Sequence, residues 1–205
     1  MRSTNQAGWI VSGLFFVFAL TFSCAPLPFL KVNYRLPSGG DDWKGKKVFL
    51  TLQDARSQRE IIGAGAKSEF KNYSGDISFS LARGTESGFK IGVYDVPSLV
   101  KQAFKSRLEA GGIKLVLEKG DAEIQLEISL NDFFLDLVDR RWKARMGYEA
   151  RLIKEGNVLA KQMISGEAER LKVIGRGQAD EVLGEIFTDT MNKLDLAKLF
   201  QQAGL

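Results

Sequence analysis

Cys24 is the single cysteine of a 205-residue chain that contains no histidine. These two counts narrow the available chemistry. Zinc sites are built from several Cys and His ligands at close spacing. Triad-type nucleophilic catalysis normally uses a His base. One cysteine cannot close a disulfide within the chain. A lone thiol can still accept a covalent group, and its position decides whether it does. The other groups with chemical potential are charged pairs and clusters. Asp54 and Arg56 follow a strand pattern and suit a ligand site or, more simply, a structural ion pair or turn. Asp132, Asp136 and Asp139 recur over a short stretch, but without the loop spacing of a calcium site, so solvated strand ends are expected. No carboxylate pair is marked out for hydrolysis. The chain is therefore expected to be non-enzymatic, with no catalytic residue, metal site or cofactor.

The stretch Ile62-Gly63-Ala64-Gly65-Ala66-Lys67-Ser68 invites comparison with a phosphate loop. Such a loop needs Gly directly before the Lys, so that backbone amides can cradle phosphate, and a helix after it. Ala66 occupies the Gly position, and no apolar stripe follows Ser68. The dinucleotide fingerprint fails as well, because its third Gly falls on Ser68. No nucleotide is expected; a flexible loop or a β-bulge is. A net charge of +4, without a dense Lys/Arg run, gives no case for nucleic acid. The densest basic stretch, Arg140-Arg141-Trp142-Lys143-Ala144-Arg145, with a Trp inside it, suits anionic lipid headgroups or lipopolysaccharide. The commoner meaning is alternating charge on the solvent side of a strand.

The position of Cys24 carries the strongest signal. Met1–Gln6 is polar with one charged side chain, Arg2. Trp9–Phe22 is then almost wholly apolar. That run is shorter than the roughly 20 residues a spanning helix needs. A basic start, a short apolar run and a small residue at its end describe a secretory signal peptide. Leu20-Thr21-Phe22-Ser23-Cys24 resembles the processing site of a bacterial lipoprotein signal. Ser23 fits the position before the Cys; Thr21 and Phe22 depart from the preferred Leu and small residue. An uncleaved signal anchor and cleavage after Ala25 compete for the same run, and the placement of the sole Cys favours acylation. The resemblance implies cleavage between Ser23 and Cys24 and lipid attachment at Cys24. Two or three acyl chains, at about 0.8 kcal/mol per buried CH₂, hold a protein to a bilayer without a spanning helix. Ala25, rather than Asp, after the Cys implies sorting to the outer membrane, with the domain in the periplasm.

Three regions follow: a signal peptide over 1–23, a lipidated N-terminus and tether over 24–45, and one folded domain over 46–205. The middle region holds Pro26, Pro28, Pro37 and Gly39-Gly40, which favour extended backbone. It reads either as a free tether or as a strap packed through Phe29, Leu30, Tyr34 and Trp43. In the body, alternation predicts strands at Lys46–Ala55, Ile113–Leu117, Asp121–Asp139, Trp142–Leu152 and Val158–Leu171. A phase flip after Asn131-Asp132 predicts a bulge. Helical stripes appear over Leu99–Ala110 and Leu183–Leu194, with a short terminal helix after Asp195. Ser57–Tyr94 reads as an excursion with strand pieces at Ile77–Leu81 and Phe89–Tyr94. One-sided strands need cover, and the helices supply it. The expected fold is an α+β two-layer sandwich, a mostly antiparallel sheet of four or five strands under two amphipathic helices.

The runs VFLTLQDARS, SLARG, DVPSLVKQAFKSRLEAGGIKL, AEIQLEISL and DEVLGEIFTDTMNKL together resemble the YajG-type bacterial lipoproteins. The elements that carry the likeness are Asp54-Ala55-Arg56 after the first strand and the step Ala110-Gly111-Gly112-Ile113. The resemblance spans roughly 46–195 and implies the same α+β fold. It also implies an accessory role beside a larger envelope complex, through a protein partner, as in LptE-like and transporter-auxiliary lipoproteins. A second reading is direct binding of lipopolysaccharide or phospholipid in a groove between sheet and helices. The surfaces expected to dock a partner are the polar strand Val158–Arg170 and the sheet face near Trp142–Arg145, because an edge strand can accept another strand.

Overall fold

The computed structural model describes residues 29–38 and 43–205. Cys24, the cleavage site and the signal segment lie outside the described residues. The elements are β1 (Leu30–Leu36), β2 (Lys47–Asp54), β3 (Ile77–Arg83), β4 (Phe89–Tyr94), α1 (Val96–Ala110), β5 (Lys114–Val116), β6 (Ile124–Val138), β7 (Arg141–Lys154), β8 (Asn157–Leu171), α2 (Gly177–Lys193) and α3 (Leu196–Gln202). Among the described residues no helix is long and apolar enough to cross a membrane.

The strands form two sheets, in the orders β1-β3-β4 and β5-β2-β6-β7-β8. This corrects the expectation of one mostly antiparallel sheet. The run β6-β7-β8 is the antiparallel meander that short turns impose. β2, however, lies parallel to both β5 and β6, and β1 lies parallel to β3. Alternation has the same period in both kinds of pairing, so it carries no information on strand direction. Direction is set by the long connection between β2 and β5, which includes α1 and returns the chain to the same end.

β1 falls inside the segment that reads as tether or strap, and Leu30–Leu36 is a packed strand. Leu30, Val32, Tyr34 and Leu36 are buried, while Lys31, Asn33 and Arg35 are exposed. The folded body therefore includes residues well before Lys46.

The bulge falls where the phase flip places it. Leu130 pairs with Tyr148 and Asp132 with Gly147, leaving Asn131 as the extra residue. The apolar face is restored beyond it, with Phe133 and Leu135 buried. The meander turns at Asp139-Arg140 and at Glu155-Gly156, all four residues having positive φ. Left-handed backbone at both central positions matches the twist of paired strands.

α1 starts at an N-cap: Asp95 accepts a hydrogen bond from the Ser98 N–H at 2.9 Å, with Pro97 in the first turn. It buries Leu99, Val100, Ala103, Phe104 and Leu108. Phe104 meets Tyr148 of β7 edge-on, ring centres 5.2 Å apart. α2 buries Phe187 against Tyr34, Phe79 and Phe133, drawing both sheets into one core. The C-terminus of α2 is capped from outside. The buried Arg107 of α1 donates to the carbonyls of Met191 and of Leu194, the latter at 2.6 Å. A cation there satisfies orphan carbonyls and opposes the negative end of the helix dipole.

Candidate functional site

The residues singled out by type separate into distinct places. Asp54 and Arg56 form a two-pronged pair at the end of β2. The Arg56 Nε donates to Asp54 Oδ1 at 2.8 Å and Nη2 to Oδ2 at 2.9 Å. The guanidinium is buried, and it holds the Asp54 carboxyl below the usual carboxylate range. Arg56 Nη1 also reaches the Arg59 carbonyl, so the pair fixes the start of the following loop.

That loop borders a cleft of about 600 Å³, shared with Tyr73 and the start of α1 at Asp95–Pro97. Its charged lining is balanced: Arg56, Arg59 and Lys67 face Asp54, Glu60 and Asp95. Lys67 is already paired with Glu60 at 2.9 Å. The Tyr73 hydroxyl is buried without a hydrogen-bond partner among the described residues, and burial raises its pKa.

The glycine-rich stretch that resembles a phosphate loop wraps a carboxylate of its own chain. The Gly63 N–H donates to the Leu135 carbonyl, and the Leu135 N–H to the Ile61 carbonyl, each at 2.8 Å. The Ala66 N–H then donates to Asp136 Oδ1 at 3.0 Å. A Cβ at Gly63 would overlap the Asp136 carboxylate, and one at Gly65 would overlap the Leu137 carbonyl oxygen. Close backbone approach, not ligand binding, accounts for these two glycines. Asp136 is thereby separated from its neighbours in sequence. Asp132 pairs with Arg145 at 2.5 Å, and Asp139 sits at the turn after β6.

Trp142 does not present itself to lipid headgroups. It is fully buried, edge-on to Phe70 with ring centres 5.8 Å apart. The flanking cations occupy the solvent face: Arg141 pairs with Glu169 at 2.6 Å, and Arg145 lies 4.3 Å over the Phe134 ring. This removes Trp142 from the surfaces expected to bind lipid.

Two long strand edges remain to be compared. The outer edge of β1 is covered by α2 side chains. Asp180 accepts from the Lys31 N–H at 2.9 Å, and Thr188 meets Asn33 and Arg35 at 3.3 Å. Asn192 donates to the Arg35 carbonyl at 3.0 Å. β8 differs. It ends its sheet, and over its 15 residues it pairs only with β7 among the described strands. Alternate residues face the helices: Ala160 is buried, and Arg170 forks onto Glu181 and Glu185 of α2. On the other side Met163 stands 72% exposed. The sequence reading of Val158–Arg170 as a sheet edge thus matches the structure. It does not single out the apolar residues at and beyond its end: Leu171 closes β8 exposed, and Val173 and Ile174 are exposed in the connection to α2. Their signal was an aliphatic group in a short basic, Gly-containing connection with no strand or helix period.

No family profile matches the chain, and no curated protein sequence matches it. Solved structures do. The DUF330 protein XCC0632 from Xanthomonas campestris is similar over 86% of this chain and 96% of its own, at 11% identity and a TM-score of 0.53. A minor lipoprotein from Acinetobacter baumannii covers 78% of this chain and 93% of its own, at 12% identity and a TM-score of 0.39. The protein CT253 from Chlamydia trachomatis covers 78% and 98%, at 8% identity and a TM-score of 0.41. The first of these shows a shared fold. Identities this low leave function to the site itself.

Proposed function

We propose that the chain is a lipid-anchored accessory module of the bacterial cell envelope, held by Cys24 and binding a protein partner along β8. It binds and does not catalyse. The anchor reading is supported by the sequence signal ending at Ser23-Cys24 and by the YajG-type resemblance. Ala25 supports the outer membrane, with the domain facing the periplasm.

The observation that carries the partner reading is the unequal treatment of the two edges. β1 has its backbone groups taken up by Asp180, Thr188 and Asn192. β8, 15 residues long, has no strand on its outer edge among the described residues. An open edge of that length is a template for another strand and is normally blocked. A peptide added there gains main-chain hydrogen bonds, with specificity from side-chain pockets. Direct binding of an anionic amphiphile is the weaker reading, because the charges lining the cleft cancel.

Photocrosslinking residues at Lys161, Met163 and Ser165 of the full-length protein in its own cells test this reading. One reproducible protein adduct at these positions, absent from the still more exposed Leu117, is the expected result. Adducts no stronger than at Leu117, or lipid adducts alone, contradict it.

A further inference from the structure

We infer that the end of the domain where β1 begins rests on the bilayer, with Val173 and Ile174 inserted among lipid headgroups. This deepens the anchored-module reading and rests on acylation of Cys24. It adds an orientation and a second membrane contact.

Ile174 is 85% exposed and Val173 66%, and Leu171 beside them is also exposed. Leu171 closes β8, and Val173 and Ile174 occupy the short connection from β8 to α2. The Lys172 N–H donates to the Arg140 carbonyl at 2.8 Å, which brings the β6–β7 turn and its exposed Val138 to the same end. A group of aliphatic side chains exposed together marks a contact surface. Arg140, exposed on the β6–β7 turn, flanks the group, and Arg176 beside it lies 5.5 Å over the Phe70 ring. Asp139 on the same turn offsets part of that charge. Aliphatic tips rimmed by guanidinium groups suit an interface with anionic headgroups.

Position selects the bilayer over other occupants. The Lys31 N–H is bonded to Asp180 in the first turn of α2, and α2 begins three residues after Ile174. The described chain therefore starts beside the exposed group. Leu30 is six residues from Cys24, a reach of about 20 Å at full extension. Acyl chains on Cys24 hold this end of the domain, and not the opposite one, at the membrane surface. The β7–β8 turn lies one length of β8 away, about 45 Å.

The test uses the full-length lipidated protein. Acylation consumes the Cys24 thiol, so one added cysteine takes an environment-sensitive fluorophore at a single place. Ile174→Cys and Lys154→Cys, the latter beside the β7–β8 turn, are each reconstituted into vesicles of phosphatidylethanolamine and phosphatidylglycerol. Both positions are exposed, and circular dichroism checks their folding. The expected result is a blue-shifted emission at 174 that brominated acyl chains quench, and an aqueous, unquenched emission at 154. An aqueous emission at 174 in protein that still floats with the vesicles overturns the inference and leaves the anchor intact. A blue shift without lipid quenching shows cover by protein, and also overturns it. Protein that carries no acyl mass and does not float overturns both the anchor and the inference.

Discussion

The backbone N–H of Lys31 donates to the Asp180 carboxylate at 2.9 Å, joining the second residue of β1 to the first turn of α2. The contact closes an edge that would otherwise stand open. It also fixes the point where the chain enters the domain. Burial raises the Asp180 pKa, with the Lys31 N–H opposing the shift. The carboxylate form is thus penalised in the fold despite its hydrogen bond.

A pH dependence follows from that shift. A carboxyl whose folded pKa is raised contributes stability that is complete below its unfolded pKa, about 3.9 for Asp. That contribution is lost as pH rises through the folded value. Asp180→Asn keeps an oxygen to accept from Lys31 and removes the buried charge. Its stability relative to the parent should therefore be greater at pH 7 than at pH 3.5. Urea unfolding at the two values measures this; equal differences would show that the Asp180 charge carries no penalty.

Asp54 behaves in the opposite way. The Arg56 guanidinium lowers its pKa, so its contribution is complete above the unfolded pKa and is lost as pH falls through the lower, folded one. Asp54→Asn leaves the buried Arg56 without its carboxylate. A loss of about 3 kcal/mol is expected at neutral pH. The gap between variant and parent should narrow in strong acid, and denaturation curves across pH 2–7 read both effects.

Gly65→Ala tests the loop that grips Asp136. The new methyl would meet the Leu137 carbonyl, which belongs to a paired strand and cannot easily move. A cost of about 1–3 kcal/mol is expected from such overpacking. Gly84→Ala also adds one methyl, but Gly84 has no neighbour to clash with and a positive φ of 54°. It should cost about 1 kcal/mol, from backbone conformation alone. Thermal unfolding of both variants separates close approach from backbone freedom.

Much of this architecture is legible in the chain itself. The alternation from Trp142 to Leu152 marks the buried face of β7, and the phase flip at Asn131-Asp132 marks the bulge. Pro97 and Gly111-Gly112 mark the ends of α1, while the Asp95 cap shows only in the structure. Strand direction is not legible, because Val48, Leu50 and Leu52 alternate identically beside a parallel or an antiparallel neighbour. β1 does alternate, but it lies among Pro26, Pro28 and Pro37, whose local preference for extended chain gives the same pattern as a free strap. At the candidate site the β8 edge is readable from its polarity. The role of Gly63 and Gly65 is not, since Asp136 lies some seventy residues away in sequence and only the fold brings it to them. Trp142 shows the same limit: a basic neighbourhood in sequence becomes a buried indole under surface ion pairs once alternate side chains take opposite faces.

The central claim is that a lipidated Cys24 holds this domain at a membrane. Growth of its own cells with radioactive palmitate, comparing the parent chain with Cys24→Ala, tests it directly. The account predicts label on the parent, none on the variant, and a mature chain beginning at Cys24. An unlabelled parent, or one that retains Trp9–Phe22 in its mature form, would contradict it.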